Sequence, residues 1–167
     1  MPTPTPVVGL LRRPATLLLV LGLTLVAFVA LTGATTDTTG RAHAATLTFR
    51  QKAVLVASYQ KGDPYRLGAA GPNAFDCSGL TQFAYRQAGH WLKHSATGQY
   101  WETRHLAKRY KRPGDLIFYT SNGRASGIYH VALYAGNGYT WVARHSGTYV
   151  QRQRIYSSSY LVGRVRT

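Results

Sequence analysis

Cysteine and acidic residues are both scarce in this sequence. Cys77 is the single cysteine among 167 residues. One thiol cannot close a disulfide within the chain and cannot supply a cysteine-based zinc cluster, so a disulfide scaffold and a zinc ribbon are excluded. Only 5 Asp and Glu side chains oppose 20 Lys and Arg, and the formal net charge is +15. The chain must therefore be stabilised by a packed core and not by cross-links.

Apolar and aromatic residues are abundant enough to build such a core. Hydrophobic residues make up 45% of the chain, which contains 12 Tyr and 3 Trp. This composition excludes a disordered polycation. Residues 45–167 show no internal repeat and no linker rich in Pro, Gly or Ser, so we expect them to form one domain.

The N-terminal 44 residues have the features of an export signal. Two arginines precede the apolar run Ala15–Leu31, and an Ala-His-Ala tripeptide ends at Ala44. A basic segment, an apolar segment and a small-residue cleavage site predict a secretory signal peptide over residues 1–44 and a secreted domain over residues 45–167. Because 17 apolar residues approach the length of the shortest transmembrane helix, an uncleaved membrane anchor is the alternative.

The predicted domain carries a large excess of positive charge. Residues 45–167 contain 17 basic and 4 acidic side chains, a net of +13. Such a charge attracts polyanions, namely nucleic acid, acidic membranes or the anionic polymers of a bacterial wall. An exported protein meets the last two first, so we expect anionic wall polymers as partners and no nucleic acid, with a membrane partner only if the N-terminal segment is uncleaved. A solvated surface without a specific partner is the alternative.

The residue pattern predicts helices first and strands afterwards. Helical spacing of apolar residues, an Asp at a helix start and glycines after the helix ends indicate helices over residues 49–60 and 77–88, with a shorter one over 95–102. Alternation and turn residues then indicate strands over residues 115–120, 128–135, 139–144, 148–155 and 161–166. Helices followed by antiparallel strands predict an α+β fold.

Cys77 is a candidate nucleophile because of its predicted place in the second helix. Asp76 occupies the N-cap position, so the Cys77 thiol would face the free N–H groups and the positive dipole at the helix start, which stabilise a thiolate. A thiol with a pKa of about 8.5 is only about 3% ionised at pH 7, so a nearby imidazolium is also needed. Buried packing is the alternative for a lone cysteine.

His130 is the best candidate for that partner. It lies in the middle of a predicted strand, in YHVALY, where a polar side chain needs a reason. A hydrogen-bonded core histidine is the alternative. His90 and His94 stand four residues apart, but neither a third ligand nor an HExxH pattern accompanies them, so we expect no metal site there.

Three segments resemble the NlpC/P60 family of papain-like cysteine peptidases, and the resemblance spans about residues 49–166. They are GDPYRLGAAGPNAFDCSGLTQFAYRQAG at 62–89, RPGDLIFY at 112–119 and YHVALYAGNG at 129–138. The resemblance implies a papain-like α+β domain in which N-terminal helices pack on an antiparallel sheet. It also implies that Cys77 is the nucleophile and His130 the base.

The resemblance further implies hydrolysis of peptide bonds in the stem peptides of bacterial peptidoglycan, commonly between D-glutamate and a diamino acid, without a metal or organic cofactor. Tyr65 occupies the place of a family tyrosine that helps to hold the substrate and the oxyanion. Asp76 and Ser78 match family residues that meet a substrate amine in some members. An N-cap role for Asp76 and plain packing for Tyr65 are the alternatives. Asp115, in the sequence PGD, is typical of a turn.

The sequence departs from the family pattern at Val142. Family members usually have a third polar residue, often histidine, twelve positions after the base, and a valine cannot hydrogen-bond an imidazole. His145 is a candidate replacement. A two-residue turn at Asn137 and Gly138 pairs position 130 with position 145, which places His145 beside His130 as an orienting residue. A three-residue turn instead places Val142 on the face of His130 and turns His145 away.

Three functions are therefore compatible with the sequence. The first is a monomeric cysteine peptidase that is secreted to the extracellular space or the cell wall and acts on peptidoglycan. The second is a catalytically weak or inactive domain that binds wall polymers, which the valine at position 142 motivates. The third is thiol acyl transfer by the same pair of Cys77 and His130.

Overall fold

The computed structural model describes residues 46–167, so the signal-peptide prediction for residues 1–44 lies outside the described residues. Within residues 46–167, three helices lead into a six-stranded antiparallel sheet, and the α+β prediction is confirmed. The helices are α1 (Phe49–Tyr59), α2 (Cys77–Gln87) and α3 (Ala96–Glu102). The strands are β1 (Thr103–Leu106), β2 (Leu116–Thr120), β3 (Ile128–Gly136), β4 (Tyr139–Val142), β5 (Gln151–Arg154) and β6 (Tyr160–Val165). None of the helices in this range is long and apolar enough to cross a membrane.

Side-chain caps set the starts of the helices. Thr48 and Gln51 form a reciprocal capping box at the start of α1, in which the Gln51 N–H donates to the Thr48 hydroxyl over 3.3 Å. Asp76 caps α2 by accepting a hydrogen bond from the Gly79 N–H over 2.7 Å. Ser95 caps α3 in the same way. The three predicted helices are confirmed, and each differs by one residue at one end.

The sheet has the strand order β1-β6-β2-β3-β4-β5, and neighbouring strands are antiparallel. Its two faces bury separate sets of side chains because successive residues point to opposite sides. One face packs against the helices and includes Phe118, Val131 and Leu133. The other face carries a second apolar cluster around Tyr119. His130 lies opposite Tyr119 in the β2–β3 pairing and therefore belongs to this second face.

Strand β1 is the strand that the sequence pattern does not predict. Its sequence, TRHL, has one residue buried and the others partly or fully exposed. It pairs with β6, from Thr103 opposite Val165 to Leu106 opposite Val162, and forms one edge of the sheet. Its conformation therefore comes from pairing and not from local propensity. The strands predicted over 139–144 and 148–155 are also shorter, at Tyr139–Val142 and Gln151–Arg154.

The β3–β4 hairpin has the predicted two-residue turn without the predicted strand register. Asn137 and Gly138 have φ values of 52° and 77°, and a type I′ turn requires positive φ at both positions. The pair of residues next to the turn, Gly136 opposite Tyr139, is the one that a two-residue turn predicts. Ala135 then bulges out of the ladder, and the later pairs are shifted by one residue, as Leu133 opposite Trp141 shows.

This bulge places Val142, and not His145, on the sheet face of His130. Val142 belongs to the same apolar cluster as Ala132 and Tyr119, and alternation puts Ala132 on the same face as His130. Strand β4 ends at Val142, so His145 lies beyond the paired residues. The pairing of position 130 with position 145 is therefore wrong, because turn length does not fix the register when a bulge follows.

Asp115 joins the start of β2 to β6. It is fully buried, and its carboxylate accepts a hydrogen bond from the Arg112 N–H over 2.7 Å, which confirms its role in the turn. The carboxylate also forms a two-pronged ion pair with Arg164, in which both nitrogen–oxygen distances are 2.7 Å. The ion pair is a tertiary contact that the turn interpretation did not include.

Replacing Asp115 by asparagine should lower the free energy of unfolding by about 3 kcal/mol, because it breaks a buried pair and leaves the Arg164 charge without its partner. Urea denaturation measures this loss. Glu102→Gln is the matched control, since the pair of Glu102 with Lys93 is longer, at 3.7 Å, and largely exposed. It should cost less than about 1 kcal/mol. Similar losses in the two variants would contradict a special role for the buried pair.

Candidate active site

The thiol of Cys77 lies where the first turn of α2 meets strand β3. Cys77 is the first residue of α2 and is partly buried. The backbone N–H groups of Val131, Ser78 and Cys77 itself are close enough to the sulfur to lower the pKa of the thiol. Val131 directly follows His130 in the chain. The Cys77 thiol therefore lies against the strand that carries His130, although the side chains of Val131 and His130 point to opposite faces of that strand.

Burial of the Cys77 side chain raises the pKa of its thiol above the usual value. The N–H groups of Val131, Ser78 and Cys77 act in the opposite direction, and the negative charge of Asp76 adds to the increase. The stabilisation of the thiolate that we expect at the helix start is therefore outweighed. The free-energy cost of removing the thiolate from water exceeds the stabilisation that these N–H groups provide. The thiol is protonated at neutral pH.

The imidazole of His130 is held in its neutral form. The residue is 4% exposed, and burial lowers its pKa to about 4. The positive charges of Arg144 and His145 contribute to the decrease. Its ring centroid lies 5.6 Å from that of Tyr119. The site therefore rests as a neutral thiol and a neutral imidazole, and not as an ion pair.

One nitrogen of the His130 ring has no polar partner. Nε2 is buried and makes no hydrogen bond to any group of residues 46–167. Val142 is 1% exposed and presents only methyl groups on the face that it shares with His130. A second hydrogen bond is what normally selects the tautomer and the orientation of a catalytic imidazole. The apolar residue at position 142 therefore offers no hydrogen bond to orient the His130 ring.

His145 lies near His130 but does not bond to it in this structure. It is exposed, and its Nδ1 lies 2.9 Å from the carbonyl oxygen of Ser146. His145 and His130 both line an open depression of about 230 Å³, together with Tyr129, Arg144 and Tyr156. His145 thus affects His130 through its charge and not through a hydrogen bond.

The Asp76 carboxylate collects hydrogen bonds from four groups at the start of α2. It caps the helix through Gly79. It also accepts from the Gly68 N–H over 2.8 Å, from the Ser78 hydroxyl over 3.1 Å, and from His94, whose Nε2 lies 2.9 Å from both oxygens. Burial acts to raise its pKa, but these hydrogen bonds outweigh burial and hold the pKa below its usual range. Asp76 is therefore an ionised N-cap.

His94 is a site residue that the sequence pattern does not reveal. Its spacing from His90 raises only the question of metal binding, and 18 positions separate it from Asp76. His90 has a different environment, since it stacks on Phe49 with ring centroids 3.7 Å apart. Among residues 46–167, no group of three or more His, Cys, Asp or Glu side chains is arranged to hold a metal ion.

Tyr65 is partly buried close to Cys77 and Asp76. Its backbone forms a bridge with Phe75, which brings the loop before α2 alongside the helix start. Burial raises the pKa of the Tyr65 hydroxyl, and the electrostatic effects of Cys77, once that thiol ionises, and of the Asp76 carboxylate raise it further. Tyr65 is therefore a neutral hydrogen-bond donor near the thiol.

A helix that begins with cysteine and packs on an antiparallel sheet whose third strand carries a buried histidine is the arrangement of the papain-like α+β class. The model of the NlpC/P60 family matches residues 62–165, which is more than half of the chain. The chain therefore belongs to the NlpC/P60 family.

Relatives and solved structures agree with this assignment. The chain is 38% identical over 114 residues to the probable endopeptidase p60 of Listeria monocytogenes, a match that covers 65% of this chain and 22% of that protein. The P60 domain of an antigen from M. avium subspecies paratuberculosis is 27% identical, with a TM-score of 0.63 over 70% of this chain and 94% of that one. RipD from Mycobacterium tuberculosis, described as a non-catalytic NlpC/P60 domain protein adapted to peptidoglycan binding, is 27% identical, with a TM-score of 0.62 over 72% and 99%. The chain spans about a fifth of the length of the Listeria relative.

The low pKa of His130 makes the folded state sensitive to acid. The unfolded histidine titrates near 6.5 and the folded one at about 4. Between these values the unfolded chain binds a proton that the folded chain does not, so the stabilising contribution is complete above pH 6.5 and is lost as the pH falls toward 4. One such group accounts for about 3 kcal/mol. Urea denaturation at both ends of this range should therefore show a smaller acid-induced loss in His130→Gln than in the parent. Equal losses would assign the titration to another group.

Proposed function

We propose that this protein is a secreted cysteine peptidase that hydrolyses peptidoglycan stem peptides at the bond between D-glutamate and a diamino acid. The observation that carries the proposal is the position of Cys77 at the first turn of α2, against the strand that carries His130, in an NlpC/P60 fold. Relatives that are named endopeptidases support the reaction type. The choice of bond rests on the family resemblance, and secretion rests on the N-terminal sequence.

The neutral resting pair determines the order of the chemical steps. His130 takes the thiol proton as the substrate carbonyl approaches, and the Cys77 thiolate attacks the carbonyl carbon. The imidazolium then gives its proton to the leaving amine, and a water molecule that His130 deprotonates hydrolyses the thioester. An imidazole with a pKa of about 4 is a weak base and its imidazolium a strong acid, so this environment favours the protonation of the leaving group.

Neutral donors near the sulfur supply the stabilisation of the oxyanion. The N–H groups of Cys77 and Ser78 lie at the start of α2, where the helix dipole favours negative charge. The Tyr65 hydroxyl keeps its proton because its pKa is raised, and it adds a third donor. These groups need no change of charge during the reaction.

Asp76 and Ser78 give the site a negative side that suits a substrate amine. Asp76 stays ionised because its pKa is lowered, and the Ser78 hydroxyl already donates to it. Since four groups occupy its oxygens, we assign amine recognition to the short-range attraction of its charge and not to a new hydrogen bond.

A non-catalytic role in binding the cell wall is the second candidate function. The unpartnered Nε2 of His130 and the apolar side chain of Val142 favour it, because both weaken control of the base. RipD provides an example of this fold that is described as non-catalytic. The net charge of +13 over residues 45–167 would hold either an enzyme or a binding protein near anionic wall polymers.

Digestion of purified peptidoglycan distinguishes the two functions. The parent protein should release fragments cut between D-glutamate and the diamino acid, whereas Cys77→Ala should release none and should still bind the polymer, because only the nucleophile is lost. Mass spectrometry of the soluble fragments identifies the bond, and circular dichroism verifies the fold of the variant. Binding by the parent without any release of fragments would favour the non-catalytic role.

A polar residue at position 142 should increase turnover. In Val142→His, the new ring lies on the face of His130 and supplies a partner for Nε2, so kcat should rise by at least about tenfold with little change in KM. Steady-state kinetics on a soluble stem peptide measures both constants. Val142→Leu is the apolar control and should give no increase, and Val142→Asn tests a smaller polar group.

His145 is the competing source of an orienting hydrogen bond. His145→Ala should change kcat by less than about twofold, because the side chain makes no bond to His130 in this structure. Loss of most of the turnover at unchanged KM would instead show that His145 reaches Nε2 during the reaction.

A further inference from the structure

A continuous basic groove crosses the edge of the sheet formed by β1 and β6. Three adjoining depressions have volumes of about 420, 320 and 300 Å³, and Arg164 lines all three. Arg104 also lines the first and second, Arg50 the second and third, and Arg112 the first and third. Seven cationic side chains define the basic groove: Arg50, Arg104, Arg109, Lys111, Arg112, Arg164 and Arg166.

The protein does not neutralise most of this charge. Of the groove cations, only Arg164 belongs to one of the ion pairs found within residues 46–167, and its partner Asp115 is buried. Arg104, Arg109 and Arg112 are exposed, and none has a carboxylate partner within the same residues. Like charges held this close repel each other, so an anion in the groove would stabilise the arrangement.

Backbone contacts hold part of the groove in place. Arg164 donates to the Tyr110 carbonyl over 3.0 Å while it pairs with Asp115. Arg50 donates to the Val165 carbonyl over 3.0 Å. A guanidinium has five N–H donors, so Arg50 and Arg164 are positioned by the protein and keep further donors for a ligand.

The basic groove lies beyond the far end of α2 from Cys77. Tyr85, in the last turns of α2, donates its hydroxyl hydrogen to the Gly114 carbonyl, and Gly114 immediately follows the groove-lining segment 111–113. Eight residues of helix, about 12 Å, separate Tyr85 from Cys77. A ligand in the groove is therefore not the bond that Cys77 attacks.

The chemistry of the groove favours phosphate groups on a linear chain. Six of its seven cations are arginines, whose planar forks match the oxygens of a phosphate with two parallel hydrogen bonds. A concave surface that continues over three depressions fits a linear polymer better than it fits a flat lipid bilayer. Tyr110 is the one aromatic among its described lining residues, and Arg109 stacks on that ring at 4.7 Å. The groove thus lacks the row of stacking platforms that binds single-stranded nucleic acid.

From these observations we infer that the basic groove binds a linear polymer with phosphate groups, such as a polyol-phosphate chain of the cell wall. The polymer holds the domain in place while the opposite end of α2 faces the stem peptide. The inference rests on the proposed function only for the location where such a polymer is met, since binding in the groove requires no hydrolysis.

Binding of linear inorganic polyphosphate tests the inference. The full chain carrying Cys77→Ala serves as the parent, and the groove variant adds Arg104→Gln, Arg109→Gln and Arg112→Gln. At about 0.15 M salt the groove variant should bind at least about tenfold more weakly in calorimetry. The slope of log affinity against log salt should fall by about 2, since each phosphate contact on a single strand contributes about 0.7.

A charge-matched variant separates a site from a general charge effect. Lys61→Gln, Arg124→Gln and Arg152→Gln remove the same charge from exposed positions outside the groove, and together they should weaken binding by less than about twofold. Equal losses in the two triple variants would overturn the inference. Thermal denaturation verifies that both are folded. The single change Arg104→Gln, expected to weaken binding by about fourfold, replaces the groove variant if that variant does not fold.

Other probes identify the class of partner. Polyglutamate of similar length should bind more weakly than polyphosphate, and equal affinity would overturn the assignment to phosphate. Tighter groove-dependent binding to phosphatidylglycerol vesicles would assign the groove to a membrane, and tighter binding to a single-stranded oligonucleotide would assign it to nucleic acid. Because Cys77→Ala is present throughout, a failure of the peptidase proposal and a failure of groove binding are observed separately.

Discussion

The carboxylate of Asp76 fixes the end of the molecule at which the thiol lies. A buried carboxylate is costly unless hydrogen bonds replace its hydration, and here four donors from three chain segments do so. They join the loop before α2, the first turn of α2 and the segment that leads into α3. Gly79 adds a steric requirement, since a Cβ there would lie 2.0 Å from the Ala69 carbonyl oxygen. The direction in which α2 presents Cys77 depends on this junction.

Burial determines the electrostatics on both sides of the reaction centre. Desolvation raises the pKa of Cys77 and lowers that of His130, and the nearest charges reinforce both changes, since Asp76 is negative beside the thiol and Arg144 positive beside the imidazole. Such a neutral pair gains from a third polar group, and the sheet supplies Val142 instead. The packing that completes the second face of the sheet therefore leaves the His130 ring without a polar partner at Nε2.

Elements with strong local signals could be predicted from the sequence. Helical periodicity and end signals located α1 and α2 to within one residue, and the FDCSGL motif located Cys77 at the first turn of α2. The bulge at Ala135 could not be predicted, because an alanine carries no signature of it, yet the bulge decides which residue shares a face with His130. The contact between His94 and Asp76, the raised pKa of the thiol and the strand β1 arise from tertiary packing and strand pairing, which local pattern does not encode.

The protonated state of Cys77 also affects its chemical durability. Peroxides and disulfides react with thiolates and scarcely with thiols. Because burial raises the pKa of the thiol, and because the chain has no second cysteine to form an internal disulfide, the resting side chain is slow to oxidise. The protein can remain in an oxidising medium with this thiol intact, and in the proposed peptidase the sulfur becomes reactive only while His130 holds the proton.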